Sequence, residues 1–153
     1  MAYDVETSIG IAATPENVWA VLADLGRYPE WHPVFLSVTG QLTVGSTLTI
    51  RTTVPSSGRP MTVHVKVVTV EPGRELRWVS RLVGITISRR TFLLTPSGGG
   101  TLLEQSGRYH GLGGGRGRAI TGVIGRIQDV FVSINESIKQ QAEARQGGTG
   151  ADS

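Results

Sequence analysis

The fold is decided near the carboxyl end of the chain, where residues 116–145 read RGRAITGVIGRIQDVFVSINESIKQQAEAR. Apolar residues recur there at spacings of three and four, and the positions between them are polar or charged. This period places the apolar side chains on one face of an α-helix. That face comprises Ile120, Val123, Ile124, Ile127, Val130, Phe131, Ile134, Ile138 and Ala142. The sequence therefore predicts one long amphipathic helix, whose apolar face must pack against another element.

Strand-like segments and a short helix precede this stretch. The opening YDVETSIGI, residues 3–11, alternates between apolar and polar positions and predicts a strand. In ATPENVWAVLADLGRY, residues 13–28, Thr14 is a suitable N-cap and Pro15 suits the first helical position, so a short helix is predicted. Six further strand-like runs follow between Gly- and Pro-containing breaks, from VFLSVTG at residue 34 to TLLEQSGRYHG at residue 101.

This order of elements predicts an α+β fold. An antiparallel sheet with one apolar face can bury that face against a helix that lies on one side of it. Because six or seven strongly twisted strands curl, the sheet should wrap around the long C-terminal helix and leave room for a cavity. We assign residues 1–145 to this single domain. The remaining segment QGGTGADS, residues 146–153, has the composition of a disordered tail.

Composition excludes several classes of protein. Lysine and arginine exceed aspartate and glutamate by 15 to 12, but the basic residues are dispersed, so nucleic-acid binding is not expected. The chain has no cysteine, which removes disulfides and thiol nucleophiles. No apolar run reaches the roughly 18 residues of a membrane span, and the start MAYDVETSIG does not resemble a signal peptide. We expect a cytoplasmic protein, either a monomer or a homodimer.

Several short phrases of the sequence carry a resemblance to a known family. The segment WHPVF (31–35) follows the first predicted helix, and GSTLTI (45–50), VEPGRELRW (70–78), FLLTPSGGGTLLEQ (92–105) and YHGL (109–112) follow in order. In these features the chain resembles the helix-grip superfamily of START-related domains, and most closely its bacterial polyketide cyclase/dehydrase-like branch. That branch often has Asn where this chain has His32. The likeness covers residues 3–145 and implies the helix-grip fold, which hosts carriers, sensors and enzymes.

Strand parity indicates which side chains face the predicted cavity. In RELRWVSRLV, residues 74–83, Trp78 and Ser80 should point inward and Arg77 outward, and similar reasoning directs His64 and Lys66 to solvent. The candidate ligand-binding residues are Trp31, Thr52, Trp78, Ser80, Phe92, Gln105, Ile127 and Phe131, with Leu48, Ile50, Val63, Ile124 and Ile134 beside them. Mostly apolar walls with a few polar groups suit a small-molecule site. They suit an ordinary core equally well, so both interpretations remain open.

Arg90 also has inward parity, in SRRTFLLT, residues 88–95. A guanidinium in an apolar interior requires a partner, so Arg90 could bind a carboxylate, phenolate or carbonyl group of a ligand. Alternatively, it could reach water at the strand end or pair with Glu104 or Asp129. Tyr109 lies on the inward face of the last predicted strand, unless a bulge at Gly107 inverts that strand.

Candidate catalytic groups are few. They are His32, Arg90 and Tyr109, of which Arg90 could polarise a carbonyl while His32 or Tyr109 carries a proton. His32 could equally be a capping or surface histidine. The three histidines lie on separate predicted elements, and the glycine run 111–118, GLGGGRGR, lacks the Lys-Ser/Thr ending of a phosphate loop. The sequence therefore predicts neither a metal site nor a cofactor.

Three functions are compatible with these features. The first is a carrier or sensor that holds a hydrophobic small molecule, such as a lipid, a polyketide or an aromatic compound. The second, which the resemblance allows, is a polyketide cyclase, aromatase or dehydratase that uses the same cavity, because such an enzyme can act chiefly by shaping a flexible chain. The third is a partner-binding module that uses the charged convex face of the sheet.

Overall fold

The computed structural model describes residues 2–53, 57–82, 85–110 and 117–151, with side chains in residues 3–53, 57–80, 88–110 and 125–147. Within these residues the strands are β1 (Ala2–Ile11), β2 (Phe35–Thr39), β3 (Thr47–Thr53), β4 (Pro60–Glu71), β5 (Glu75–Leu82), β6 (Ile85–Ser97) and β7 (Gly100–His110). The helices are α1 (Pro15–Ala23), α2 (Tyr28–Trp31) and α3 (Gly117–Ala151). A short 3-10 turn, Leu25–Arg27, lies between α1 and α2. This is the order of elements that the sequence predicts.

The strands form one antiparallel sheet with the order β1-β7-β6-β5-β4-β3-β2. From β2 onward each strand pairs with the next along the chain, and β1 pairs with β7. Helices α1 and α2 therefore carry the chain from one edge of the sheet to the other. The curved sheet, the short helices after β1 and the long C-terminal helix confirm the predicted α+β, helix-grip architecture.

Helix α1 begins as the sequence predicts. The side chain of Thr14 accepts a hydrogen bond from the backbone N–H of Asn17, and Pro15 occupies the first turn. A cap of this kind stabilises a helix by about 1 kcal/mol, which matters for a helix this short. Three residues of α1 enter the core: Val18, Val21 and Leu22.

Helix α3 lies against β1, β7 and α1. Its carboxyl-terminal half is tied to the turn between β1 and α1, because the Ala12 N–H donates to Glu143 Oε2 over 2.8 Å and the Thr14 N–H donates to Gln146 Oε1 over 3.2 Å. The helix continues to Ala151, through most of the segment that composition predicts to be a disordered tail. Among the described residues, no helix is long and apolar enough to cross a membrane.

The register of β7 shows which of its side chains face inward, a question that the sequence leaves open because a bulge at Gly107 would invert the strand. Pairing with β1 continues without interruption from Ala2 opposite His110 to Ile11 opposite Thr101, so no bulge occurs at Gly107. Pairing with β6 is equally regular. Gln105 is therefore buried and Tyr109 half-buried on the face that parity predicts.

The convex face of the sheet carries charged and polar side chains, as strand parity predicts. His64 and Lys66 are exposed on β4. Arg77 on β5 pairs with Glu75, with 3.0 Å between Nη2 and the carboxylate oxygen. Glu104 is exposed on β7. These residues belong to the solvated side of the sheet and leave the concave side to the functional site.

Candidate functional site

The concave side of the molecule has two ends that differ in burial. At the closed end, next to α1, the side chains are apolar and at most 2% exposed; this set is Leu76, Phe92, Leu94, Leu103, Ile134 and Ile138. At the open end, where β5 ends and β6 begins, some inward-facing side chains, such as Trp78, Ser80 and Phe131, are buried, but a larger set is only half-buried. This half-buried set is Thr52, Val63, Ser88, Arg90, Tyr109 and Ile127. The interior is therefore packed at the closed end and reachable by solvent at the open end.

Arg90 lies at the centre of the open end. It stands in register with Trp78 on β5 and Gly107 on β7. Its Nε donates a hydrogen bond to Gln105 Oε1 over 3.0 Å, and its Nη2 donates to the same oxygen. Burial lowers the pKa of Arg90, an effect that Tyr109 and Tyr28 partly oppose. A guanidinium remains charged despite such a shift, so a half-buried positive charge rests against a neutral amide.

The acidic partners that the sequence suggested for Arg90 do not reach it. Glu104 points to the convex side and is exposed, and Asp129 is exposed on α3. Among the described residues, no carboxylate forms an ion pair with Arg90. The prediction of such a pair is wrong because neighbouring residues on a strand face opposite sides of the sheet, which separates Glu104 from this site.

A chain of hydrogen bonds fixes the amide of Gln105. Its Nε2 donates to Asn135 Oδ1 over 2.6 Å and to the backbone oxygen of Phe131 over 3.2 Å. Asn135 Nδ2 in turn donates to Thr7 Oγ1 over 2.8 Å, and Thr7 Oγ1 donates to the backbone oxygen of Gln105 over 2.8 Å. Because both Nε2 hydrogens already have acceptors, the oxygen of Gln105 must face Arg90.

Aromatic rings surround the guanidinium. Its Cζ atom lies 4.5 Å from the ring centroid of Phe131 and 5.3 Å from that of Phe92. Phe92 also packs edge-on against Trp78, with ring centroids 5.6 Å apart. Cation–π contacts at these distances favour the charged form and hold the guanidinium in place. Four of the predicted site residues, Gln105, Phe131, Phe92 and Trp78, therefore surround or support Arg90.

Gly107 allows two of the rings to approach β7. A Cβ atom at this position would lie 2.9 Å from Tyr109 Cε2 and 3.0 Å from Phe131 Cζ, which is closer than side chains tolerate. Burial raises the pKa of Tyr109, while Arg90 opposes that shift. Tyr109 therefore presents a neutral phenol beside the guanidinium, able to donate a hydrogen bond.

His32 is buried, and both of its ring nitrogens have partners. Nδ1 accepts a hydrogen bond from the Val34 N–H over 3.0 Å, and Nε2 lies 2.8 Å from Ser133 Oγ. An accepting Nδ1 assigns the hydrogen to Nε2 and makes Ser133 Oγ the acceptor. Burial lowers the pKa of His32, and the positive charge of Arg90 lowers it further. In this geometry His32 joins the segment after α2 to helix α3.

Three other predicted site residues have specific places. Thr52 Oγ1 donates to the backbone oxygen of Val34 over 2.9 Å, and Ser80 Oγ lies 2.9 Å from Ser88 Oγ. Trp31 packs against Tyr28 with ring centroids 4.8 Å apart. The other side of Trp31 lines a shallow groove between α1 and α3, the Trp31 groove, which also contains Asp24, Arg27, Ala144 and Arg145. Thr52 and Ser80 face the concave side with Arg90, whereas Trp31 belongs to this outer groove.

Sequence reasoning missed four residues that build the site, namely Thr7, Gly107, Ser133 and Asn135. Asn135 had a visible signal, because it interrupts the apolar stripe formed by Phe131, Ile138 and Ala142. Gly107 was considered only as a bulge position, and nothing in the sequence singled out Ser133. The side chain of Ile124 and residues 111–116 of the glycine-rich run lie outside the described residues.

The chain resembles known proteins both in sequence and in structure. The family described as polyketide cyclase / dehydrase and lipid transport matches residues 2–143. A search of curated protein sequences finds no significant match.

Several solved structures share the fold. The Zhui aromatase/cyclase from Streptomyces sp. R1128 has a TM-score of 0.74 at 17% identity, over 95% of this chain and 96% of that chain. A START superfamily protein from Mycobacterium smegmatis has a TM-score of 0.73 at 14% identity, over 92% and 97%. The di-domain ARO/CYC StfQ from the steffimycin biosynthetic pathway has a TM-score of 0.78 at 18% identity, over 96% of this chain and 52% of StfQ. This chain thus spans about half the length of StfQ.

At these sequence identities the solved structures establish only the fold. The match to the family model assigns the chain to a family. The match covers nearly the whole of the described domain, from β1 into the carboxyl-terminal part of α3. The chain therefore belongs to the polyketide cyclase/dehydrase and lipid-transport family and has the START-type helix-grip fold.

Proposed function

We propose that the protein binds a hydrophobic small molecule, such as a lipid, a polyketide or an aromatic compound, between the sheet and helix α3, as a carrier or sensor. The observation that carries this proposal is the change in burial along the concave face. A protein that needed only a core would be expected to close both ends with apolar side chains. Here the open end keeps Ile127, Val63, Arg90 and Tyr109 half-buried.

The composition of the open end supports the same proposal. Small-molecule sites combine apolar walls with a few polar groups that orient the ligand. Ile127 and Val63 supply apolar surface, while Arg90 and Tyr109 supply hydrogen-bond donors. The ligand class is also consistent with the family, whose description includes lipid transport.

Native mass spectrometry of the purified protein, followed by denaturing extraction, would test the proposal. We expect a bound hydrophobic compound or, for protein freed of ligand, saturable one-to-one binding of members of a panel of lipids and aromatic compounds. A bare protein that binds none of them would contradict the proposal.

A pair of substitutions on adjacent residues locates the binding. Ser88 faces the concave side, and its neighbour Arg89 is exposed on the convex side. Ser88→Trp should fill the open end and abolish binding, whereas Arg89→Trp adds the same bulk outside and should leave binding intact. Circular dichroism of both variants checks that they fold. Binding that survives Ser88→Trp in a folded protein would place the ligand elsewhere.

A second candidate function, polyketide cyclisation or dehydration, rests on the pairing of Arg90 with Tyr109. Arg90 would polarise a substrate carbonyl and the neutral phenol of Tyr109 would donate a proton to the developing oxyanion. His32 is the weaker proton carrier, because Val34 and Ser133 occupy its two nitrogens. The likeness to the Zhui aromatase/cyclase makes the reaction worth testing.

Turnover of a short poly-β-ketone thioester would test this enzymatic alternative. Arg90→Ala and Tyr109→Phe should each lower kcat/KM by at least about 100-fold if these groups act on the reacting atoms. Equal turnover by the wild type and both variants would rule out these roles. A cytoplasmic location, the absence of nucleic-acid binding and the choice between monomer and homodimer stay predictions from the sequence.

A further inference from the structure

The charge of Arg90 is held in place without being neutralised. A guanidinium has five N–H donors. Among the described residues, only two of them have a protein partner, and that partner is the neutral oxygen of Gln105. A charge held inside a protein is usually paired with an opposite charge, because removing it from water otherwise costs several kcal/mol. The arrangement is therefore incomplete as a structural ion pair.

Three neutral side chains maintain this arrangement. They are Gln105, Asn135 and Thr7, of which the first two are buried. Each hydrogen bond is donated in the same direction, from Arg90 to Gln105, from Gln105 to Asn135 and from Asn135 to Thr7. This network supports the guanidinium from one side only. It also links three strands, β1, β6 and β7, to helix α3. Within the part of the chain that the structure describes, the charge therefore has a fixed position and no counter-charge, which is the condition for recognising an anion.

The surroundings of Arg90 favour an anion that carries an apolar body. Phe131 and Phe92 lie against the guanidinium, and Trp78 faces the same space from β5. Tyr109 adds a neutral hydroxyl donor rather than a second charge. Arg90 is the only cation on the concave face among the described side chains of the sheet, since His64, Lys66 and Arg77 lie on the convex face. One negative charge would balance the site.

We propose that the open end recognises amphipathic monocarboxylic acids, and that Arg90 binds the carboxylate while Ile127 and Val63, the half-buried apolar side chains of this end, contact the apolar body. This inference rests on the proposed binding cavity and names the chemistry of its ligand. A carboxylate can accept two parallel hydrogen bonds from the N–H donors of Arg90 that lack protein partners. Tyr109, which lies on the same face of the sheet and interacts electrostatically with Arg90, would supply an additional hydroxyl donor. A neutral alcohol of the same size could fill the apolar space but would leave the charge unpaired.

Matched ligand pairs test this proposal on the full-length protein. Isothermal titration calorimetry at about pH 8, where the acids are ionised, would compare dodecanoate with dodecanol, and naphthoate with naphthylmethanol. We expect each acid to bind about tenfold or more tightly than its alcohol, as charge-assisted hydrogen bonds imply. Acid and alcohol that bind equally, or an alcohol that binds more tightly, would overturn the proposal and leave the cavity itself intact. Failure of all four compounds to bind would contradict the cavity as well.

Two arginines on the same strand provide the matched variants. Arg90→Gln should remove the preference for the acid, and Arg89→Gln, which makes the same change of charge on the convex face, should keep it. Arg90→Lys should retain part of the preference, because an ammonium keeps the charge but not the paired hydrogen bonds. If Arg90→Gln fails to fold, two measurements still test the proposal: the preference of the wild type for the acid over the alcohol, and the reduced preference expected for Arg90→Lys. A preference that persists in folded Arg90→Gln would overturn the assignment to Arg90.

Discussion

The closed end and the open end of the concave face share strands β6 and β7 and helix α3, yet they differ in composition and burial. On β6, Phe92 and Leu94 at the closed end are fully buried, whereas Ser88 and Arg90 at the open end are half-buried. On α3, Ile138 is fully buried and Ile127 is half-buried. The closed end resembles the interior of any small domain. The open end combines a charge, hydroxyl groups and apolar side chains that stay half-buried.

This difference separates the part of the molecule that stabilises the fold from the part that is free to bind. The stability of a domain depends on close packing of apolar side chains, which the closed end supplies. A half-buried arginine with a neutral partner contributes little to stability and is costly to maintain. Departures from close apolar packing and from charge pairing are common at functional sites. The comparison therefore predicts that substitutions at the two ends will have different effects on folding and on binding.

The largest expected effect on stability is at the closed end. Leu103→Ala removes a side chain that is completely buried between the sheet and α3. We expect the free energy of unfolding to fall by about 3 kcal/mol, because the deletion leaves a cavity. The matched change at the open end, Ile127→Ala, should cost only about 1 kcal/mol, because this side chain is half-buried. Urea denaturation measures both values, and equal losses would contradict the distinction between the two ends.

The next effect concerns the hydrogen-bond chain behind Arg90. Asn135→Ala removes the acceptor for Gln105 Nε2 and the donor to Thr7 Oγ1. We expect a loss of about 2 kcal/mol, the cost of leaving buried polar groups unpaired. Gln128→Ala, at an exposed position on the same helix, is the control and should change the free energy of unfolding little. If the two variants had similar free energies of unfolding, the hydrogen bonds behind Arg90 would contribute nothing to stability.

The close packing of Gly107 on β7 against the rings of Tyr109 and Phe131 predicts a smaller effect on stability. Gly107→Ala places a methyl group against Tyr109 and Phe131. We expect a loss of about 1 to 2 kcal/mol from overpacking. Gly10→Ala on β1 meets no atom within 4 Å and serves as the control. Thermal unfolding of both variants is the measurement, and a Gly107→Ala protein as stable as Gly10→Ala would show that the rings can move aside.

The smallest effect is the dependence of stability on pH that His32 contributes. Its pKa in the folded protein is lowered by burial and by Arg90, below the ordinary value of about 6.5. The unfolded chain therefore binds the proton first as the pH falls, and the free energy of unfolding decreases below about pH 6.5 until the folded-state pKa is passed.

The variant His32→Asn tests this dependence. An amide oxygen can still accept from the Val34 N–H but does not titrate. Urea denaturation between about pH 7.5 and pH 5 should show a smaller decrease for His32→Asn than for the wild type. His64→Asn, on the exposed face of β4, is the control. Identical pH dependence in the wild type and His32→Asn would contradict the assignment.

Much of the fold could be predicted from the sequence, because it depends on local periodicity. The spacing of Ile127, Phe131, Ile134 and Ile138 predicts the long helix, and the alternation in β1 predicts its strand. Strand parity also predicted correctly that Gln105 and Tyr109 face inward. These inferences succeed because a helix and a strand each have a fixed period that the sequence displays directly.

The site could be predicted only in part, because its contacts join residues far apart in the chain. Strand parity predicts that Arg90 lies on the concave side, but it does not indicate the hydrogen bonds that join Arg90 to Gln105, Asn135 and Thr7. Such partners depend on the register between strands and on the rotation of α3, which no local pattern specifies. Trp31, another candidate ligand contact, lies in the Trp31 groove and not beside Arg90, a placement that no local pattern in the sequence indicates.

The most direct test of the account is hydrogen–deuterium exchange with and without dodecanoate. We predict slower exchange in peptides that cover residues 88–92 and 105–109 and in the part of α3 around Ile127, because these form the open end. Exchange in residues 138–146, at the closed end, should not change. Protection confined to the Trp31 groove, or no protection at any position under conditions in which dodecanoate binds, would contradict the claim that the open end is the ligand site.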